Sequence, residues 1–342
     1  MKTKILLPLL IFFCAWFIIS CNQNNNPVSS TGYNTIPENI IFTASNHLCM
    51  IGADGNNLKI LSSHADGSFI DWEAHTSLDG KKVVYSYWTN VGPTQIYMTD
   101  LQTLTTTNIT NDSVSHSSPS FSPDGKSVMY LTQVGGRETI FSKNILLSTE
   151  TQLTSGLSCI APLYSNDGYH ILFIMGNNNT DSLGVTIMNS NGSNVILIKP
   201  NGWDPQFSPD GRTVLYIVYG TNTIGLYTMD LDGSHGQFIS NIPFETTAKF
   251  SPDGSKIVVS NYVGVLSDIF IMNSDGTNPI NLTNTPKAAE VFPSFSMDGT
   301  KIVYILADST RFEKLMIMDI NGNNKKILVD TLSQLAEPMF CY

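Results

Sequence analysis

The sequence predicts an all-β fold built from repeated sheets, on three grounds. First, the string Phe-Ser-Pro-Asp-Gly occurs at 121–125, 207–211 and 250–254, with degenerate copies at 76–80, 164–168 and 295–299. The six aspartates of these copies, Asp79, Asp124, Asp167, Asp210, Asp253 and Asp298, are 45, 43, 43, 43 and 45 residues apart. Such a period marks a repeat architecture. Second, each copy is followed by a short apolar run of strand length, as in 127–132 and 301–306. Third, 25 Gly and 16 Pro supply many turns. With 342 residues, 42% hydrophobic and 13% charged, the chain can bury a large core and is not a disordered one.

Within each unit the elements follow in order. The first strand runs into the motif, whose Asp-Gly forms a tight turn with the aspartate capping it. The second strand holds one residue of a column made by Phe42, Tyr85, Tyr130, Phe173, Tyr216, Val259 and Tyr304. Both of its faces are predicted to be buried between neighbouring sheets. A third strand follows, as at 226–230 and 315–319. It ends at Asp54-Gly55, Asn191-Gly192, Asp232-Gly233, Asp275-Gly276 or Asn321-Gly322. These pairs provide the positive φ that tight hairpins need. The run 230–233 also has some likeness to a calcium loop, but its glycine comes too early for that order. A short fourth strand, as at 281–283, closes the unit.

Four antiparallel strands in this length make a β-propeller blade. Segment 39–61 supplies three strands (40–43, 48–51, 58–61) without the motif, and 336–342 resembles the missing start. The two ends are therefore expected to share a blade, which leaves no free sheet edge. That gives seven blades; six would require 39–61 to lie outside the ring. Cys341 and Cys49 then fall two strands apart at roughly 4.8 Å per step, too far to bridge. With Cys159 they are expected to be buried free thiols, since their spacing suits neither disulfides nor metal.

The predicted boundaries are a signal at 1–20, a flexible tether at 21–35 and the propeller at 36–342. Lys2 and Lys4 precede a 15-residue uncharged apolar run, Ile5 to Ile19. This reads as a secretory signal, shorter than the about 20 residues of a spanning helix. The placement of Cys21 directly after Ser20 resembles the lipobox of bacterial lipoproteins. That resemblance implies diacylglycerol on Cys21, cleavage before it and N-acylation. The alternative is an uncleaved anchor or a plain signal. Loss of both lysines takes the net charge from −10 to −12. Two or three acyl chains hold a protein stably on a membrane. The Asn-, Ser- and Pro-rich stretch after Cys21 would lift the domain off the bilayer. It lacks an acidic cluster of the surface-export type, which favours an outer membrane lipoprotein facing the periplasm.

The repeat resembles the WD-like propeller of the TolB family, whose members act in the periplasm with the Tol–Pal system. It also resembles the propellers of the prolyl oligopeptidase group. The likeness spans about 39–342 and implies the fold. TolB differs in carrying an α/β domain before its propeller and in not being a lipoprotein. The prolyl oligopeptidase group adds a hydrolase domain for which this sequence is expected to have no room.

No Gly-x-Ser-x-Gly elbow, phosphate-binding loop or His-Glu-x-x-His motif is present, so no catalytic residue is assigned. The acidic balance and the absence of a basic run argue against nucleic acid. Propellers bind at the channel mouth, where the inner strands start. By alignment, the position three before the repeat proline holds Asp71, His116, Cys159, Gly202, Glu245, Glu290 and Leu335, with Glu73, Asp204 and Glu337 close behind. These carboxylates could form an acidic collar for a cation or a basic partner segment, or simply a solvated rim. Trp72 and Trp203 could stack on a sugar or an apolar side chain, or plug the channel. A pectate-cleaving lyase family holds manganese on histidines of such a propeller. Here His47, His64, His75, His116, His170 and His235 are expected to be scattered, with no cofactor assigned. The expected function is a membrane-anchored module that binds an envelope protein or peptide. The alternative is a glycan-binding protein or a metal-dependent glycan lyase.

Overall fold

The computed structural model describes residues 38–62, 69–70, 73–88, 92–177, 180–219, 224–242, 248–263, 266–308, 313–332 and 335–341. The signal and tether segments expected at 1–35 lie outside these, as do Asp71, Trp72, His64 and Glu245. The described residues form seven antiparallel sheets. They contain no helix long and apolar enough to cross a membrane.

Blade one pairs the two ends of the described chain. Its strands run in the order Ala336–Cys341, Asn39–Ala44, His47–Gly52 and Lys59–Ile60. Blade two is Phe69–Ile70 and His75–Thr76 against Lys82–Trp88, then Gln95–Asp100 and Thr106–Asn108. Blades three to seven begin with inner strands His116–Phe121, Ser158–Tyr164, Gly202–Phe207, Ala248–Phe250 and Ala288–Phe295. Each of these five adds three further strands in sequence order.

The packing closes the ring at seven. Seven apolar cores are present among the described residues, and each is shared by two neighbouring blades. One joins Phe42 and Ile51 of blade one to Val303 and Leu315 of blade seven. Another joins Ile41 and Met339 of blade one to Tyr85 of blade two. The aromatic column is buried throughout, with Tyr85, Tyr130, Tyr216, Tyr304, Phe42 and Phe173 among the largest fully buried side chains.

The motif aspartates cap their own turns. In all six, the preceding serine hydroxyl donates to the carboxylate, and the backbone N–H two residues on donates to the same oxygen. The serine oxygen then accepts the N–H that starts the second strand, as from Lys256 at 2.9 Å. Side chain and backbone thus satisfy each other, which explains the Ser-x-Asp-Gly order.

Cys49, Cys159 and Cys341 are buried and form no disulfide among the described residues. Burial raises the thiols of Cys49 and Cys159 to about 11, so they stay protonated and inert.

The sequence did not signal one feature. The inner strands carry a one-residue bulge just before the repeat proline. Register shifts there in blades one, three, four, five and seven. In four of them the residue before proline has positive φ: Ser118 at 51°, Ala161 at 50°, Asp204 at 52° and Phe292 at 54°. Such a bulge bends the strand and re-aims the segment beyond it.

Candidate functional site

Register fixes which residues share a level around the central channel. His75, Ser120, Leu163, Gln206, Lys249, Ser294 and Met339 each pair with the residue just before the aromatic column of the next strand. Each inner strand therefore contributes one side chain at a single level. The bulge residues Ser118, Asp204 and Phe292, and Glu73 at the equivalent position of blade two, lie two positions nearer the strand start.

The sequence-predicted residues divide among three environments. Glu73 is buried and accepts from Ser86 Oγ at 3.0 Å, from Ser118 Oγ at 2.9 Å and from the Ser118 N–H. Its carboxylate laces blade two to blade three. Asp204 occupies a bulge in blade five. Burial lifts its carboxyl to about 6, opposed by the positive charge of Lys249. Trp203 packs in the cores on both sides of blade five and meets Tyr219 edge-on at 6.1 Å. It wedges between the blades and stays partly exposed.

His116 and Glu290, three before the proline, lie under a polar latch. In several blades a threonine after the last strand takes an N–H from the third strand. Thr110 accepts from Ile96, Thr154 from Ile140 and Thr283 from Ile269, at 2.9–3.0 Å. The threonine hydroxyl then meets a further polar group. Thr110 donates to Gln95 Oε1 at 2.8 Å, and Thr283 donates to Glu290 Oε2 at 3.3 Å. His116 is held by Thr132 Oγ1 at 2.8 Å and Asp112 Oδ1 at 2.9 Å. Cys159, in the same column, faces Thr154 Oγ1 at 3.5 Å. These side chains are therefore covered between blades, not set on a solvated rim. Glu290 is 0% exposed. Burial first, and then the Asp268 carboxylate beside it, push its carboxyl up to about 7. Its Oε1 is buried without a partner among the described residues. Glu337 lies on the inner strand of blade one.

His75 and Lys249 hold the register position of Ser120, on the inner strands of blades two and six. His75 Nδ1 accepts the N–H of Phe121 at 3.4 Å. Burial, with help from the Lys249 charge, lowers its imidazole to about 4, so it is neutral at physiological pH. His75 Nε2 and Ser120 Oγ are buried without partners among the described residues. The signal for these residues was the position one before the strand-ending residue of each repeat. It is visible only once the inner strands are set side by side. Among the described residues, no group of three or more His, Cys, Asp or Glu side chains could hold a metal ion.

Solved structures share this architecture. TolB from Acinetobacter baumannii aligns at 18% identity and TM-score 0.56, over 90% of this chain and 83% of that one. An oligogalacturonate lyase in complex with manganese aligns at 14% identity and TM-score 0.62, over 80% of this chain and 82% of that one. The β-propeller domain of the Trilobed protease from Pyrococcus furiosus aligns at 14% identity and TM-score 0.61, over 85% and 93%. Identities this low speak for the fold. The sequence pattern of the TolB beta propeller domain matches residues 38–203 and 175–311, and the chain belongs to that family.

Proposed function

We propose that this chain is a cell-envelope binding module that docks a protein or peptide through the channel face of its propeller. One observation supports this most directly. Inner strands of separate blades bring polar side chains to one level, and among the described residues His75 Nε2 and Ser120 Oγ have no hydrogen-bond partner. Buried polar groups of this kind are costly unless something completes them. Membership of the TolB propeller family favours an envelope setting and a protein partner.

In this reading residues 1–20 direct export and Cys21 carries the lipid. The tether holds the propeller off an outer membrane, facing the periplasm. Asp71 and Glu245 would steer a basic segment of the partner towards the mouth. No catalytic role is assigned to any residue.

The test is crosslinking in cells that express the chain. A defined envelope protein should be captured by the wild type and lost with Asp71→Ala/Glu245→Ala, while the variant melts as the wild type does. Equal capture by both would remove the channel mouth from the reading. Cys21→Ser should move the protein from the membrane to the soluble fraction. Retention on the membrane would count against the lipid anchor. The fold is also that of a manganese-bound lyase. Stoichiometric manganese in the purified chain would therefore replace the binding reading with a glycan-directed one.

A further inference from the structure

We propose that the propeller face carrying the motif turns meets the bilayer that holds the Cys21 anchor, through Leu146, Leu147 and Tyr169. This rests on the anchor reading above and adds which face the membrane touches.

These three are the most exposed large apolar side chains among the described residues, at 86%, 73% and 71%. Each breaks a pattern that the other blades keep. Leu146 and Leu147 form the tip of the hairpin between Arg137–Asn144 and Glu150–Gln152 of blade three. Blades one, four, five, six and seven turn there on Asx-Gly, and blade two on Gln102-Thr103. Tyr169 follows the motif glycine of blade four, where the other motif turns have Lys81, Lys126, Arg212, Ser255 and Thr300. Hydrogen bonds hold the leucines in place. Asn144 Oδ1 accepts the N–H of Leu146 at 3.1 Å and of Leu147 at 2.9 Å, while Ile145 packs into the core between blades two and three. The two turns are neighbours, since Ser142 and Tyr164, on the strands leading into them, bring their hydroxyls to 3.4 Å. Scattered apolar side chains on a surface are ordinary; a group of them at positions otherwise polar marks a contact.

Topology puts the tether on the same face. Asn39 starts the second strand of blade one and pairs with Cys341, where the first strand ends. In blades two to seven that end of the sheet carries the motif turn, and the hairpin from third to fourth strand lies beside it. The chain therefore enters the ring on the face of Leu146, Leu147 and Tyr169. The 17 residues from Asn22 to Glu38 would span roughly 23 Å as a coil and at most about 60 Å extended. That length lets the tips reach the bilayer while the body of the propeller stays off it. Apolar side chains enter the membrane interface to a depth of about 5–10 Å, and tyrosine suits the headgroup level. The opposite face, where the inner strands start, then points away from the membrane.

The experiment uses the full chain, purified with its anchor and placed on vesicles of phosphatidylethanolamine and phosphatidylglycerol brominated near the headgroup. Leu147→Trp reports the tip. Val134→Trp, in the turn at the opposite end of blade three, is the control. Relative to wild type, the added emission of Leu147→Trp should fall by about half or more, at the interfacial depth expected for such a tip. That of Val134→Trp should not fall. Adding Leu146→Ser and Tyr169→Ser to Leu147→Trp should restore most of the emission, with circular dichroism checking that each variant folds. Flotation with an unquenched tip, or equal quenching at both positions, would overturn the proposal and leave the anchor standing. A tip emission that follows protein concentration and ignores bromine would also overturn it, giving the tips to a second copy of the chain. Cys21→Ser that floats as the wild type does, with Leu147→Trp still quenched, would remove the anchor and keep this face. A wild type that does not float would remove both.

Discussion

At the residue scale, the chain spends polar side chains on local satisfaction. The motif aspartate is the clearest case. Asp253 accepts from Ser251 Oγ at 2.6 Å, from the Ser255 N–H at 3.0 Å and from Ser255 Oγ at 2.9 Å. Asp253→Ala should cost about 1–2 kcal/mol in urea denaturation and leave ligand binding unchanged. Glu290 makes the opposite contribution. Its carboxyl titrates near 7 when folded, against an ordinary 4.5. Between those values the folded state keeps a proton that the unfolded chain has released. Stability therefore falls as pH rises from about 4.5 to 7 and levels off above. Glu38, lifted to about 7 by burial and by Asp298, acts in the same direction. Glu290→Gln should remove only its own share, raising stability at pH 8 by on the order of 2 kcal/mol relative to wild type. Urea titrations at pH 5 and pH 8 check this; an unchanged pH slope would contradict it. The aspartate role was legible because Ser, Asp and Gly fall at fixed offsets. The burial of Glu290 and His116 was not, because a column in sequence gives a residue's level on a strand but not what covers it.

At the scale of elements, the blade depends on its two turns in different ways. The hairpin Gly276 sits at φ 83°, and a Cβ there would stand 2.5 Å from the carbonyl oxygen of Ile239 in the preceding blade. Gly125, in a motif turn at φ 66°, has nothing within 4 Å of that position. Gly125→Ala should cost about 1 kcal/mol, from backbone conformation alone. Gly276→Ala should cost about 3 kcal/mol or more, because it also pushes blades five and six apart. Thermal melts of the pair separate the two effects; equal losses would mean that the hairpin contact is soft. Strand order, hairpins and the aromatic column were all readable from spacing. The inner-strand bulge was not. Proline disfavours helical backbone before it but does not announce a left-handed residue there. That bulge makes the channel lining hard to read, since it breaks the alternation by which side chains are assigned to faces.

At the scale of the molecule, seven cores hold seven blades, and the ring closes through one seam. Ile41 of blade one pairs with Met339, and Thr43 pairs with Ala336. Deleting 336–342 should expose the edge of Asn39–Ala44 and open the cores on both sides of blade one. The expected result is loss of a single cooperative melt, read by circular dichroism and limited proteolysis. A melt like that of the full chain would show that six blades suffice. The seam was legible because each end of the sequence carries a fragment of one repeat. Chemistry at the channel was much less legible, since its members come one per blade and their neighbours in sequence say nothing of their neighbours in space.

The seam also has a mechanical consequence. Asn39 and Cys341 are cross-strand partners, at the outer ends of antiparallel strands. A pull on the chain before Asn39 and after Cys341 would load the ladder one bond at a time, like a zipper, rather than all bonds together in shear. The ring would be tough against heat and weak against tension between its ends. A load carried from the N-terminal side to a ligand in the channel would bypass the zipper's other handle, and the seam would hold.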